Sequence, residues 1–162
     1  MNKGLRNLGE KMGTSEISRE VEYSSSDHSK VHDFKINDKN SIKLIVPPTV
    51  YPPRRDTKLL LKGLERINMQ PGNLVEIGCG SGAISIAKAL EGWNVTAFDV
   101  NPLAVVATKG NSEVAGVNDR VTVEEGGVGE EHWKLPANAD LVVWNLPYLT
   151  PDLENMLGPM EE

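Results

Sequence analysis

Three groups of residues in this sequence have types and spacing suited to chemistry. Gly78-Cys79-Gly80-Ser81-Gly82 places glycines at alternate positions directly after the apolar run Leu74-Val75-Glu76-Ile77. Such a loop turns sharply and lets a ligand approach the backbone, and the helix that follows adds free N–H groups and a positive dipole end. Asp99 closes the next apolar run, 17 residues after Gly82. A carboxylate there can take a ribose diol in two hydrogen bonds. Loop, flanking elements and acid together indicate an adenosine-type ligand rather than a bare turn.

Two ligand classes satisfy that pattern. Gly78, Gly80 and Ala83 also match the dinucleotide form G-x-G-x-x-G/A, which keeps an NAD-dependent oxidoreductase as an alternative. Glu76 bears on the choice. A carboxylate in an otherwise apolar strand costs free energy to bury unless something pairs with it. Pyrophosphate is a poor neighbour for it, whereas an ammonium is a good one. S-adenosylmethionine offers adenosine to Asp99 and a cationic amino group near the same end of the sheet.

The third group is Asn145-Leu146-Pro147-Tyr148, directly after the apolar run Leu141-Val142-Val143-Trp144. Ligands bind beyond the carboxyl ends of parallel strands in open α/β sheets. Asn145 brings a side-chain carbonyl acceptor. Leu146 precedes a proline, so its extended backbone can leave its own carbonyl free. Two acceptors can grip the two hydrogens of a planar –NH2 group, and Tyr148 offers a flat face to an amide or a base.

The elements that must position these groups follow from periodicity and punctuation. Phe34 to Val46 reads as a hairpin turning at Asn37-Asp38-Lys39-Asn40. Pro47-Pro48 and Pro52-Pro53 make the next stretch a stiff connector. Asp56 or Thr57 is expected to cap a helix running to about Ile67, with Leu59, Leu60, Leu61 and Leu64 on its buried stripe. Strands at Leu74–Ile77, Asn94–Asp99, Val121–Val123 and Leu141–Trp144 alternate with helices at Ala83–Leu90 and Pro102 to about Ala115, Asn101 being the cap of the latter. That alternation implies an α/β fold with a doubly wound parallel sheet, and the last strand reads as covered on both faces.

Composition sets the outer bounds. The chain has 162 residues, 39% hydrophobic and 25% charged, which suits one globular domain. Cys79 is the single cysteine, so an intramolecular disulfide is impossible. No Cys/His cluster has zinc spacing; His28 and His32 lie four apart with no further ligand, and no metal is expected. No run is apolar and long enough to span a membrane and no signal peptide is evident, so a cytoplasmic, reducing setting is expected. Residues 1–33 are polar and serine-rich and read as a disordered tail; the folded domain is expected over 34–162. The net charge of −6 is uneven: from Val121 onward nine acids face one base, which disfavours nucleic acid as a partner.

In order and spacing, Glu76-Ile77-Gly78-Cys79-Gly80-Ser81-Gly82, Asp99 and Asn145-Leu146-Pro147-Tyr148 resemble the class I methyltransferases that act on amino groups. Val50-Tyr51-Pro52-Pro53-Arg54-Arg55-Asp56-Thr57-Lys58-Leu59-Leu60 is similar to the entrance segment of the HemK/PrmC-like glutamine methyltransferases, especially the archaeal and eukaryotic branch. The resemblance covers about Val50 to Pro151. It implies a Rossmann-like class I methyltransferase sheet and S-adenosylmethionine as cofactor. It further implies methylation of the glutamine side chain in the Gly-Gly-Gln loop of a class 1 release factor, with a small zinc-binding activator protein as a partner. By the same resemblance Gly78, Gly80 and Gly82 line the cofactor, Asp99 holds its ribose, Glu76 sits near its methionine end, and Thr57 contacts its carboxylate with Asp56 alongside. Asn145 and the carbonyl of Leu146 orient the substrate amide, Pro147 completes that turn, and Tyr148 packs on the amide.

The sequence departs from the family at three places. Leu146 replaces the usual first proline, and Asn-Leu-Pro-Tyr also occurs in rRNA adenine dimethyltransferases, so an adenine N6 of rRNA or DNA is an alternative acceptor. Gly127 stands where an acid usually faces the adenine, and Arg55 replaces the Glu of the entrance segment. The chain also ends 14 residues after Tyr148, short of the last strands of a seven-stranded sheet. An inactive, truncated cofactor-binding domain is therefore a further alternative, with Leu141–Trp144 as an exposed apolar edge.

Overall fold

The computed structural model describes residues 28–145. Strands β1 (Lys30–Lys35) and β2 (Ser41–Val46) pair antiparallel, Lys30 opposite Val46 and Lys35 opposite Ser41. Asn37 makes the turn: its side-chain carbonyl accepts the N–H groups of Lys39 and Asn40, each at 2.9 Å. β1 begins at Lys30, inside the stretch whose composition suggests an unpacked tail. Composition weighs only side chains, whereas this strand is held by its ladder to β2, whose Leu44 and Val46 are fully buried. His32 therefore lies on a strand, where four-residue spacing from His28 places nothing on a common helical face. Among the described residues no group of three or more His, Cys, Asp or Glu could hold a metal. None of the described helices is long and apolar enough to cross a membrane.

Helix α1 spans Arg55–Glu65 with Arg54 as its N-cap, two or three residues ahead of the expected cap and ending short of Ile67. Thr57 is its third residue rather than its cap: the hydroxyl accepts the N–H of Arg54 at 3.2 Å, the returning half of a capping box. Thr57, Leu61 and Leu64 form the buried stripe, at i, i+4 and i+7, while Leu59 points to solvent.

The rest is α/β. Strands β3 (Asn73–Ile77), β4 (Asn94–Asp99), β5 (Val121–Glu125) and β6 (Leu141–Trp144) form one parallel sheet in the order β5-β4-β3-β6. Helices α2 (Ala83–Leu90) and α3 (Pro102–Val114) make the β3-to-β4 and β4-to-β5 crossovers. Both step in the same direction across the sheet, so right-handedness puts both on one face. The chain then reverses direction, and residues 126–140 return across the opposite face to β6.

The two faces are packed differently. Leu74, Val95, Ala97, Val121, Val123 and Val143 point toward the helices and the hairpin, where Phe34, Leu44, Val46, Leu61, Ile84 and Ile86 complete the main core. Val75, Ile77 and Phe98 point the other way and are covered by Trp133 and Ala139. Trp133 meets Phe98 edge-on, with ring centroids 5.4 Å apart. Among the described residues β6 is an edge strand, with Val142 43% and Trp144 41% exposed. Its run of apolar residues thus does not mean cover on both faces, because the return segment 126–140 contains no helix.

Candidate functional site

Parallel register sets the site. Glu76 lies beside Ala97 and Val143, Ile77 beside Phe98 and Trp144, and Asp99 beside Glu125. The residues that follow each strand therefore emerge together at the carboxyl edge. They open onto one cavity of about 310 Å³ lined by Thr57, Glu76, Gly78, Gly80, Asp99 and Asn145, with Asp56 and Arg54 at the α1 side and Val50, Ile77, Val100 and Val128 among its apolar walls. A cavity of that size sits at the lower end of the range for small-molecule sites.

The glycine loop is locked by neighbours. Gly78, Gly80 and Gly82 all have positive φ, at 69°, 57° and 81°. Gly78 and Cys79 both donate to the carbonyl of Phe98, at 2.8 and 3.0 Å. Gly82 does not line the cavity, contrary to the sequence expectation. It is the left-handed N-cap of α2, and a Cβ there would lie 2.8 Å from Thr108 Cγ2. Thr108 itself donates to the carbonyl of Gly80 at 3.0 Å. Asn111, buried on α3, donates to the carbonyls of Ser81 and Ile45 and accepts the N–H of Ile45, tying the hairpin to the loop. Thr108 and Asn111 were missed by sequence reasoning. The available signal was a pair of polar residues on the otherwise apolar stripe of a helix beside the loop.

Asp99 is buried and doubly engaged. Its Oδ2 accepts the N–H of Gly80 at 2.8 Å and its Oδ1 that of Asn101 at 2.9 Å. Burial raises its pKa, and those two N–H groups oppose the rise. Each carboxylate oxygen keeps a further lone pair for a ribose hydroxyl. The carboxylate therefore shapes the loop as well as facing the cavity. Asn101 caps α3 as expected, accepting the N–H of Leu103 at 2.9 Å, and its amide also reaches Thr49. Thr49 holds a positive φ of 69° in the Pro47–Val50 turn, a costly conformation for a β-branched residue.

Glu76 is 2% exposed and accepts a short hydrogen bond from the Ser85 hydroxyl on α2. Burial pushes its pKa up to about 8, against the pull of Ser85, with nearby Asp99 adding to the rise. Cys79 is buried, and its thiol is pushed well above the ordinary range by burial and by Glu76, which disfavours a thiolate nucleophile there. At the far side Asn145 Nδ2 donates to Asp56 Oδ2 at 2.7 Å, across 89 residues of chain. Leu146, Pro147 and Tyr148 lie outside the described residues.

Buried carboxylates test which ligand suits the cavity. Glu76, held against the Ser85 hydroxyl, offers the pyrophosphate of a dinucleotide no cation to pair with. A ribose diol and an ammonium group, joined through an apolar middle, match the acids and the walls. Those are the parts of S-adenosylmethionine.

Comparison with known proteins agrees. The family model for ribosomal protein L11 methyltransferase (PrmA) matches residues 54–157. A Methanocaldococcus jannaschii protein bearing the provisional name protein N5-glutamine methyltransferase is 37% identical over 109 residues, 67% of this chain and 52% of its own. The ribosomal protein L11 methyltransferase of Bacillus pumilus is 36% identical over 87 residues, 51% of this chain and 28% of its own. The crystal structure of Pyrococcus horikoshii TYW2 in complex with MeSAdo shares the fold with a TM-score of 0.56 at 19% identity, covering 72% of this chain and 42% of that one. The chain thus spans about half or less of the length of these relatives. With a Rossmann-like sheet, a glycine loop closed by a strand-end aspartate, and a family match over most of the described residues, the chain belongs to the class I S-adenosylmethionine-dependent methyltransferases, within the PrmA family.

Proposed function

We propose that this chain serves an N-methyltransferase that acts on a planar –NH2 group, specifically the glutamine side chain of a Gly-Gly-Gln release-factor loop. The observation that carries the reading is the Asn145 amide, placed on the cofactor cavity at the end of β6 and held there by Asp56. The glutamine-methyltransferase name of the M. jannaschii relative supports it. In this reading Asp99 takes the ribose diol, Glu76 the ammonium and Thr57 the carboxylate side. Val100 and Val128 give the adenine apolar walls. The bound cofactor supplies an electrophilic methyl group on a sulfonium.

The chain's own contribution is positional. An amide nitrogen is a weak nucleophile because its lone pair is delocalised. Carbonyl acceptors from Asn145 and Leu146 would hold both its hydrogens, fix its orientation for in-line attack and favour positive charge growing on nitrogen. Tyr148 would pack flat on the amide. Apolar residues around the cavity limit water.

The test is methyl transfer from labelled cofactor to a release factor carrying Gly-Gly-Gln, with Asn145→Ala as the control. The variant should keep cofactor affinity within about twofold and lose at least about nine-tenths of the rate. A second reading, methylation of amino groups on a ribosomal protein, is favoured by the family model over residues 54–157. Labelling of ribosomal protein L11 in place of the release factor would select it. Labelling of protein-free rRNA would select the adenine alternative.

A further inference from the structure

We propose that Asp56 is a positioning residue that fixes which end of the Asn145 amide faces the methyl acceptor, and so restricts the acceptor to groups that donate N–H. The inference rests on the proposed role of Asn145. A side-chain amide has a donor end and an acceptor end, and the two are nearly equal in shape. Left to itself, Asn145 could offer either. A carboxylate accepts hydrogen bonds and has none to give, so Asp56 can only take the –NH2 end. Asp56 Oδ2 lies 2.7 Å from Asn145 Nδ2, within the range of a charge-assisted bond. That contact turns the Asn145 carbonyl away from α1.

Both residues line the same cavity, yet one sits in the first turn of α1 and the other just past the edge strand β6. Asp56 is the only described acid on the α1 side of the cavity; Glu76 and Asp99 belong to the loop side. A carbonyl presented to the acceptor suits an amide or amine –NH2 and disfavours a carboxylate, which could only place oxygen against oxygen. Selectivity for the acceptor is in this sense set one residue behind the group that touches it.

The ordinary role for an acid in the first turn of a helix is to complement the helix dipole. That role would move thermal stability and nothing at Asn145, which separates it from the proposal. Two measurements on the full chain decide. In the first, the Asn145 side-chain –NH2 signals, assigned by their loss in Asn145→Ala, are followed by nitrogen-edited NMR. One proton should be shifted downfield in the parent and in Asp56→Asn, whose carbonyl can still accept, and should return to the ordinary position in Asp56→Ala. An Asn145 signal unmoved by Asp56→Ala overturns the proposal.

The second is a charge exchange in the methyl-transfer assay on the Gly-Gly-Gln release factor. Asn145→Asp alone sets two carboxylates against each other and should cut the rate by about a hundredfold. Adding Asp56→Asn restores one donor between two acceptors and should recover about tenfold. Independent, multiplying losses would overturn the proposal. Failure of the parent chain to methylate the release factor would instead count against the acceptor reading, and the NMR result would still decide the role of Asp56.

Discussion

At the glycine-loop end of the cavity the functional groups are tied to several elements. Asp99 takes two backbone N–H groups, Glu76 takes the Ser85 hydroxyl, and Thr108 and Asn111 brace the loop from α3. At the Asn145 end, the bond from the Asn145 amide to Asp56 links the end of β6 to the start of α1. At the first end Glu76, Cys79 and Asp99 are buried. The second has Val142 and Trp144 partly in water beside it. A cofactor pocket must be rigid before its ligand arrives, because each freedom left to it is lost on binding. In the proposed reading the acceptor site must instead admit and release a protein partner. Substitutions at the loop end should therefore cost both stability and cofactor affinity, and those at the Asn145 end should cost transfer alone.

The largest effect is expected from Asp99→Ala. It strands the N–H groups of Gly80 and Asn101 in a buried setting as well as removing the ribose acceptor. Cofactor affinity should fall by more than about a hundredfold and unfolding free energy by about 3 kcal/mol. Calorimetric titration and denaturant melts would measure both. A variant of parent stability would show that the aspartate faces only the ligand, and the contrast between the two ends would weaken.

Next is Gly82→Ala. The left-handed backbone and the 2.8 Å approach to Thr108 Cγ2 act together, for a loss of about 2–4 kcal/mol. Adding Thr108→Ser removes the nearest atom and keeps the hydroxyl that serves Gly80. It should recover less than half, since the hydroxyl and Cβ of residue 108 would still lie 3.0 and 3.2 Å away and the backbone strain stays. Full recovery would mean that the Thr108 methyl, not φ, requires glycine.

Much of the loop end was legible in the sequence. Gly78 to Gly82, Asp99 and the Asn101 cap combine fixed spacing with local rules, and both α2 and β4 run over the residues that periodicity gave. The bracing from Asn111 and Thr108 showed only as polar residues on an apolar helix stripe, with no partner to read from them. It is long-range, and a polar residue on a helix reads as solvated until a neighbour is placed against it. Trp133 was missed for the same reason: nothing in the segment between Gly126 and Asp140 announces that an indole will roof Phe98. The exposure of Val142 and Trp144 on β6 was hidden by composition, because an apolar run cannot reveal which of its faces is covered. The bond between Asp56 and Asn145 required knowing that α1 begins at Arg55 and that its first turn meets the end of β6.

A third prediction concerns Glu76 and pH. Its pKa lies near 8 in the folded chain and near 4.5 when unfolded, so the folded state binds the extra proton between those values. The stabilisation is complete below about pH 4.5 and is lost as pH rises toward 8, at up to about 1.4 kcal/mol per pH unit. Glu76→Gln keeps an acceptor for Ser85 and should flatten that slope. An ammonium beside Glu76 would favour the ionised form, so cofactor binding below pH 8 should release a proton. Calorimetry in buffers of different ionisation enthalpy would detect it. Binding with no proton exchange at pH 6.5 would place the ammonium elsewhere.

The smallest effect belongs to the other end of the comparison. Val142 is 43% exposed on the edge strand, its side chain on the face away from the helices. Replacing it with lysine removes little buried apolar area, and the long stem can lie along the strand while the charge stays in water. Unfolding free energy should change by no more than about 0.5 kcal/mol, the range for surface positions. The charge should act between molecules: an open edge with apolar neighbours invites pairing with another strand, and a lysine there opposes it. Light scattering against concentration should show less self-association for Val142→Lys than for the parent, with the same melting curve. A loss of several kcal/mol would mean that this face of β6 is packed after all, and that the acceptor end is held more firmly than the exposure of Val142 implies.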